Sequence, residues 1–205
     1  ILKEVIELME YYDEQIVKAL HIQRRDTFGS IDEGLYINNE LIHFNKTLLF
    51  NDRVSVMLPE NFVPMLPEIA EVKYFSGKRP DEIYTSLDMS VNFTFTDLGI
   101  SGNDEDTRLA AGLIKQIIKN ANPGYEFFEE NEDVERNVII NRFDFQSYGI
   151  DDEAYNIMYL ACTGNNLLQG TFSCLYKDRM EWKRAALEVI KTVSIVEADK
   201  WVKHH

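Results

Sequence analysis

Four histidines, two cysteines and 35 acidic side chains are what this 205-residue chain offers for nucleophilic, metal-assisted or acid–base chemistry. A catalytic nucleophile needs a base beside it. His204 and His205 close the chain, His21 falls in a charge-rich helical stretch, and His43 falls in a hairpin strand; none has a neighbouring pattern that suggests a triad. A zinc site needs about four ligands at suitable spacing, and Cys162, Cys174, His21 and His43 are scattered. The runs "EENED" and "DDE" cluster carboxylates but lack the Asp-x-Asp-x-Asp-Gly spacing of a calcium loop. "SGKRPDE" lacks the flanking glycine and the Ser or Thr after Lys78 that a phosphate loop needs, which leaves Lys78 and Arg79 as a solvated basic pair. These residues predict no catalytic group, no metal and no cofactor. A carboxylate pair assembled in space is the remaining route to an enzyme, and no pair stands out.

One row of side chains does invite a functional reading. In "FDFQSY" aromatic and polar residues alternate, the mark of a strand with two different faces. Phe143 and Phe145 point one way; Asp144 and Gln146 point the other, with Arg142 extending the polar row. A hairpin through 149–152 pairs Tyr148 with Glu153, Gln146 with Tyr155, Asp144 with Ile157 and Arg142 with Tyr159. A turn at 164–166 then pairs Tyr159 with Thr171 and Ile157 with Ser173. In that register one face is a core face carrying Phe143, Phe145, Met158, Leu160, Cys162, Leu168, Phe172 and Cys174. The other carries Arg142, Asp144, Gln146, Tyr155, Ile157, Tyr159, Thr171 and Ser173. Tyrosine with arginine and small hydroxyls is the composition of an interaction surface, so these eight residues are the candidate partner-binding site. The competing reading is a helix that covers the row while its polar groups bond internally. The register also keeps Cys162 and Cys174 far apart, which predicts two buried, reduced thiols.

The elements that must position this row follow from periodicity. Residues 1–24 read as an amphipathic helix with Leu2, Val5, Ile6, Met9, Tyr12, Ile16 and Leu20 in one stripe. "TFGSIDEG" is a linker. Hairpins follow, turning at Asn38-Asn39 and at Asn51-Asp52. A short helix after Pro67, a strand pair over 82–87 and 90–97, and a helix over 104–121 come next, the last with Ala110, Leu113, Ile114, Ile117, Ile118 and Ala121 on one side. A short strand near 125–130, strands near 137–148, 153–163 and 167–176, and a helix opened by Asp178 complete the pattern, with Met180, Ala185, Ala186, Val189, Ile190 and Val193 for burial. This is the α+β class, an antiparallel β-sheet flanked by helices. Three segments result: an N-terminal helix and linker over 1–30, a sandwich domain over 31–193, and a tail over 194–205.

A net charge of −14 opposes what duplex or anionic-lipid binding requires, so neither nucleic acid nor membrane is an expected partner. From Tyr125 to Tyr155 ten acids face only Arg136 and Arg142, eight of the net negative charges. The plain reading of that run is a set of solvated turns; a docking surface for a basic partner is the sharper one. No stretch of about 18 apolar residues occurs. The expected location is the bacterial cytoplasm, with a removed leader left open because the chain lacks an initiator Met.

The element order over about 44–193 resembles the PsbP-like superfamily, which are α/β/α sandwiches on an antiparallel sheet. The segments that carry the resemblance are "VSVMLPENFVPM", "KRPDEIYTSLDMSVNFTF", "FDFQSYGIDDEAYNIMYL" and "LLQGTFSCLYKDRMEW", each followed by its element in order. The superfamily includes a release factor for the GTPase Ran, photosystem extrinsic subunits, the envelope protein DcrB and chaperones for secreted toxins. The resemblance implies a non-enzymatic binding role and carries over no functional residue. The expectation is a protein-interaction module, adaptor or chaperone-like, whose partner is another protein, with a homodimer through the N-terminal helix as one arrangement. The alternative is a small-molecule or peptide binder with a pocket under 58–80, and the least favoured is an enzyme using unrecognised carboxylates.

Overall fold

A computed structural model describes residues 29–74, 79–135, 138–149, 152–164 and 166–196. The helix expected over 1–24, and any dimer through it, lies outside the described residues. Strands β6 (Val63–Pro64), β7 (Glu82–Thr85), β8 (Asn92–Ser101), β9 (Glu126–Glu135), β10 (Val138–Tyr148), β11 (Glu153–Thr163) and β12 (Asn166–Leu175) form one sheet in the order β6-β7-β8-β12-β11-β10-β9. Every neighbouring pair in it is antiparallel. Two three-stranded sheets accompany it. One joins β1 (Gly29–Ser30), β2 (Gly34–Ile37) and β3 (Glu40–Ile42); the other joins β13 (Ser194–Ile195), β5 (Val54–Pro59) and β4 (Phe44–Leu49). Residues 194–195, placed in the tail by sequence, thus extend a sheet, and the Val196 N–H donates to the Arg53 carbonyl.

Three helices complete the described chain: α1 (Pro67–Lys73), α2 (Asp104–Ala121) and α3 (Arg179–Lys191). Local chemistry sets their starts. Pro67 opens α1, where its missing amide costs nothing. Asn103 caps α2 by accepting from the Glu105 and Asp106 amides, and Asp106 accepts in return from the Asn103 amide, a complete capping box. The β2–β3 hairpin turns on Asn38 and Asn39 at φ of 49° and 67°, the left-handed values that Asn tolerates.

α2 and α3 cover opposite faces of the large sheet. Thr107 of α2 accepts a hydrogen bond from Asn141, on the side of Phe143 and Phe145. Lys183 of α3 reaches Asp144, on the other side. The main core lies on the α3 side. There Trp182, Ala185, Ala186, Val189 and Ile190 pack with Ile140, Ile157, Phe172 and residues of the two small sheets such as Leu35 and Val56. Burial of these apolar side chains, about 1.5–3 kcal/mol for each of the larger ones, is what fixes α3 there. Met180, expected in this core, is exposed.

Candidate functional site

The structure reproduces the first hairpin of the candidate row. Tyr148 pairs with Glu153, Gln146 with Tyr155, Asp144 with Ile157 and Arg142 with Tyr159. The second pairing is shifted by one residue. Thr163 pairs with Asn166, so Tyr159 meets Gly170 and Ile157 meets Phe172. Gly164, at φ 76°, allows the tighter turn. Because side chains alternate with a period of two, that slip exchanges the faces of β12. Thr171 and Ser173 therefore lie on the α2 side and do not belong to the row. Leu168, Phe172 and Cys174 take their places beside Tyr155, Ile157 and Tyr159, and the row is more apolar than sequence suggests.

The six remaining residues, Arg142, Asp144, Gln146, Tyr155, Ile157 and Tyr159, are all buried. Asp144, at 1% exposure, is the hub. Its Oδ2 accepts from the Tyr155 hydroxyl at 2.5 Å and from Lys183 Nζ at 3.0 Å. Its Oδ1 accepts from the Glu129 amide at 2.6 Å. That last contact has a backbone cause. Phe143 pairs with Glu130 and Phe145 with Phe127, which leaves Phe128 and Glu129 as a bulge opposite Asp144. A bulge frees an amide from the ladder, and the Asp144 carboxylate satisfies it. Lys183 also donates to Glu129 Oε1 at 3.0 Å. Burial works against the Lys183 ammonium, but its hydrogen bonds to Glu129 and Asp144 and their charges prevail and push its pKa up. Burial first, and then the hydrogen bond to Asp144, push the Tyr155 hydroxyl up. Gln146 donates to Glu153 at 2.8 Å.

Among the described residues, two buried polar atoms of the row have no partner: Arg142 Nη1 and the Tyr159 hydroxyl. Arg142 is otherwise held through Nε, 2.5 Å from Asp133 Oδ2. The Tyr159 ring occupies the space above Gly170, where an added Cβ would stand 2.0 Å from the ring. Gly170 is therefore the seat of Tyr159, and burial pushes that hydroxyl's pKa up.

The acidic run between 125 and 155 is partly consumed in the same way. Glu129, Asp133 and Glu130 on β9 pair with Lys183, Arg142 and Lys115. Glu126 and Glu132 stay exposed on this edge strand, where charge discourages edge-to-edge pairing. Among the described residues no three of His, Cys, Asp and Glu gather into a metal-holding group. Both cysteines are free; Cys174 is buried and its thiol pushed up to about 12 by that burial, whereas Cys162 is half-buried on the other face.

A cleft of about 280 Å³ opens between the large sheet and the β13-β5-β4 sheet, lined by residues that include Phe50, Arg53, Asp97, Asn166 and Leu168. Arg53 and Asp97 face each other there at 2.8 Å. The Gly99 amide, ahead of Arg53, holds the Asp97 carboxyl below the usual carboxylate range. The volume falls short of the ~300–1,000 Å³ of typical ligand pockets, and its charges neutralise each other.

The outward surface of α2 is different in kind. Thr107 and Ala111 are buried against the sheet, but Leu109, Leu113 and Ile117 are 63%, 62% and 56% exposed. Spaced four apart, they form one ridge along the helix. Sequence placed Leu113 and Ile117 with the buried residues. The signal for a second stripe was present: α2 carries apolar residues around more of its circumference than one sheet face can cover.

No family model and no curated protein matches the chain. Among solved structures, the solution structure of cyanobacterial PsbP (CyanoP) from Synechocystis sp. PCC 6803 aligns with a TM-score of 0.52 at 10% identity, over 80% of this chain and 95% of that one. The fold is PsbP-like. LpqN, involved in cell envelope biogenesis of Mycobacterium tuberculosis, gives a TM-score of 0.44 at 10% identity, over 82% of this chain and 97% of its own. Identity this low transfers no residue role, so the site in this PsbP-like fold rests on its own geometry.

Proposed function

We propose that this chain is a non-enzymatic protein-interaction module, adaptor or chaperone-like, that meets its partner through the outer face of α2. The observation that carries the reading is the ridge of Leu109, Leu113 and Ile117, apolar and uncovered among the described residues. Hydrophobic side chains grouped on one exposed face mark contact surfaces, whereas single exposed ones are ordinary. The polar row supports the same reading from the other direction. A general base needs a free lone pair within reach of a substrate, and the Asp144 carboxylate is buried with three donors on it. The Arg53–Asp97 cleft is small and self-neutralised, which argues against a small-ligand site there.

A photo-crosslinking residue at position 113, introduced into the full chain in its native host, tests this. A defined protein adduct is expected at 113 and none at 87, where Leu87 is exposed on a loop away from the ridge. Equal labelling at both positions, or none at either, would contradict the reading.

A further inference from the structure

We infer that the partner of the α2 ridge is a second copy of this chain, the two α2 helices packing antiparallel about a two-fold axis at Leu113. This rests on the reading of α2 as a protein-contacting face and names its occupant. Three observations favour a second copy. The first is Gly112. It lies mid-helix beside the ridge, and a Cβ added to it would meet nothing within 4 Å. A helical glycine costs about 1 kcal/mol relative to alanine, and nothing within this chain's described residues demands it. It leaves room on that flank, about 100° round the helix from Leu113, for the side chains of a second copy packed along the ridge.

The second observation is charge. The first turn of α2 carries Asp104, Glu105 and Asp106, and its last turn carries Lys119. In a two-fold pair centred on Leu113, Leu109 faces the partner's Ile117, Leu113 faces its own copy, and Glu105 comes level with the partner's last turn, on the flank that carries Lys119. The helix dipoles also oppose. Parallel pairing, by contrast, would set acids beside acids. The third observation is chain position. Gly29, the first described residue, accepts from Arg184 of α3 on the far side of the sheet. Gly29 itself therefore lies on the side of the sheet opposite this ridge.

An 18-residue helix is roughly 27 Å long. A contact of that length buries on the order of 500 Å² per copy, below the ~800 Å² of a standard interface. A contact this small is expected to be weak and concentration-dependent.

Sedimentation equilibrium of the full chain across a concentration series tests the inference. The wild-type chain should pass from monomer to dimer. Leu113→Glu sets two carboxylates together at the axis and should weaken dimerisation at least tenfold; Leu87→Glu should leave it unchanged. Glu105→Lys should weaken it several-fold, and adding Lys119→Glu should restore it to within about twofold, a reciprocal rescue that a folding defect would not produce. A chain that stays monomeric to millimolar concentration, or a dimer indifferent to Leu113→Glu and to the charge swap, overturns the pairing. A crosslink from position 113 to a different protein would overturn it too while sustaining the proposed function; no crosslink at all would end both.

Discussion

The two large helices lie on opposite faces of one sheet and present opposite problems. α3 sits on the face that carries Arg142, Asp144 and Gln146, residues that by type belong in water but are buried here, and its Lys183 reaches Asp144. α2 covers its own face with Thr107 and Ala111 and leaves Leu109, Leu113 and Ile117, residues that by type belong in a core, in the open. Residue type alone would assign function to the first face and structure to the second. Partner satisfaction reverses that. A buried carboxylate with three donors on it, as Asp144 has, is structural, and an apolar ridge that none of the described residues covers is the better candidate for a contact surface.

The largest expected effect that could break this comparison lies at Asp144. Asp144→Ala strips the acceptor from the Tyr155 hydroxyl, the Lys183 ammonium and the Glu129 amide at once. Removing one member of a buried charged network costs about 3–5 kcal/mol, and denaturant titration should show a loss of that size. A loss below about 1 kcal/mol would mean that the network does not form.

Next come two tyrosines of one strand, both about 1% exposed, that differ in partnership. Tyr155→Phe removes a donor to a carboxylate and should cost about 1.5–3 kcal/mol. Tyr159→Phe removes a buried hydroxyl that has no partner among the described residues, and should be neutral or stabilise the fold by up to about 1–3 kcal/mol. Equal costs in thermal melts would show that the Tyr159 hydroxyl has an unrecognised partner.

A gentler probe is alkali. Tyr155 and Lys183 both have folded-state pKa values raised above their ordinary 10.0 and 10.5. A group raised on folding contributes stability that is fully present below its unfolded value and fades as pH rises through the folded one. Stability should therefore hold from neutrality to about pH 10 and fall above it. The Tyr155→Phe variant, lacking one titrating group, should fall less steeply over the same range. Parallel curves for the two proteins would remove Tyr155 from the network.

Much of this fold is legible in the chain. The β10–β11 register follows from aromatic–polar alternation and the loop after Tyr148, and α2 from its caps and period. The β11–β12 register is less so, because a turn shorter by one residue at Gly164 exchanges both faces of β12, and with it the placement of Thr171, Ser173 and Phe172. The row's residues were visible but its cover was not. Lys183 arrives from α3, 39 residues beyond Asp144, and the bulge that aims the Glu129 amide has no strong sequence mark. The α2 ridge was hidden by a habit of amphipathic reading, which assigns every apolar residue of a helix to one side. Gly112 was the visible warning that this helix has two.

The most direct test is carbene footprinting of the full chain, read by mass spectrometry at low and high protein concentration. In dilute solution Leu109, Leu113 and Ile117 should label strongly, and Tyr155 and Tyr159 hardly at all. At high concentration the ridge should become protected while the tyrosines stay unchanged. Ready labelling of Tyr159 in the folded chain, or a ridge already protected at the lowest concentration, would contradict the account.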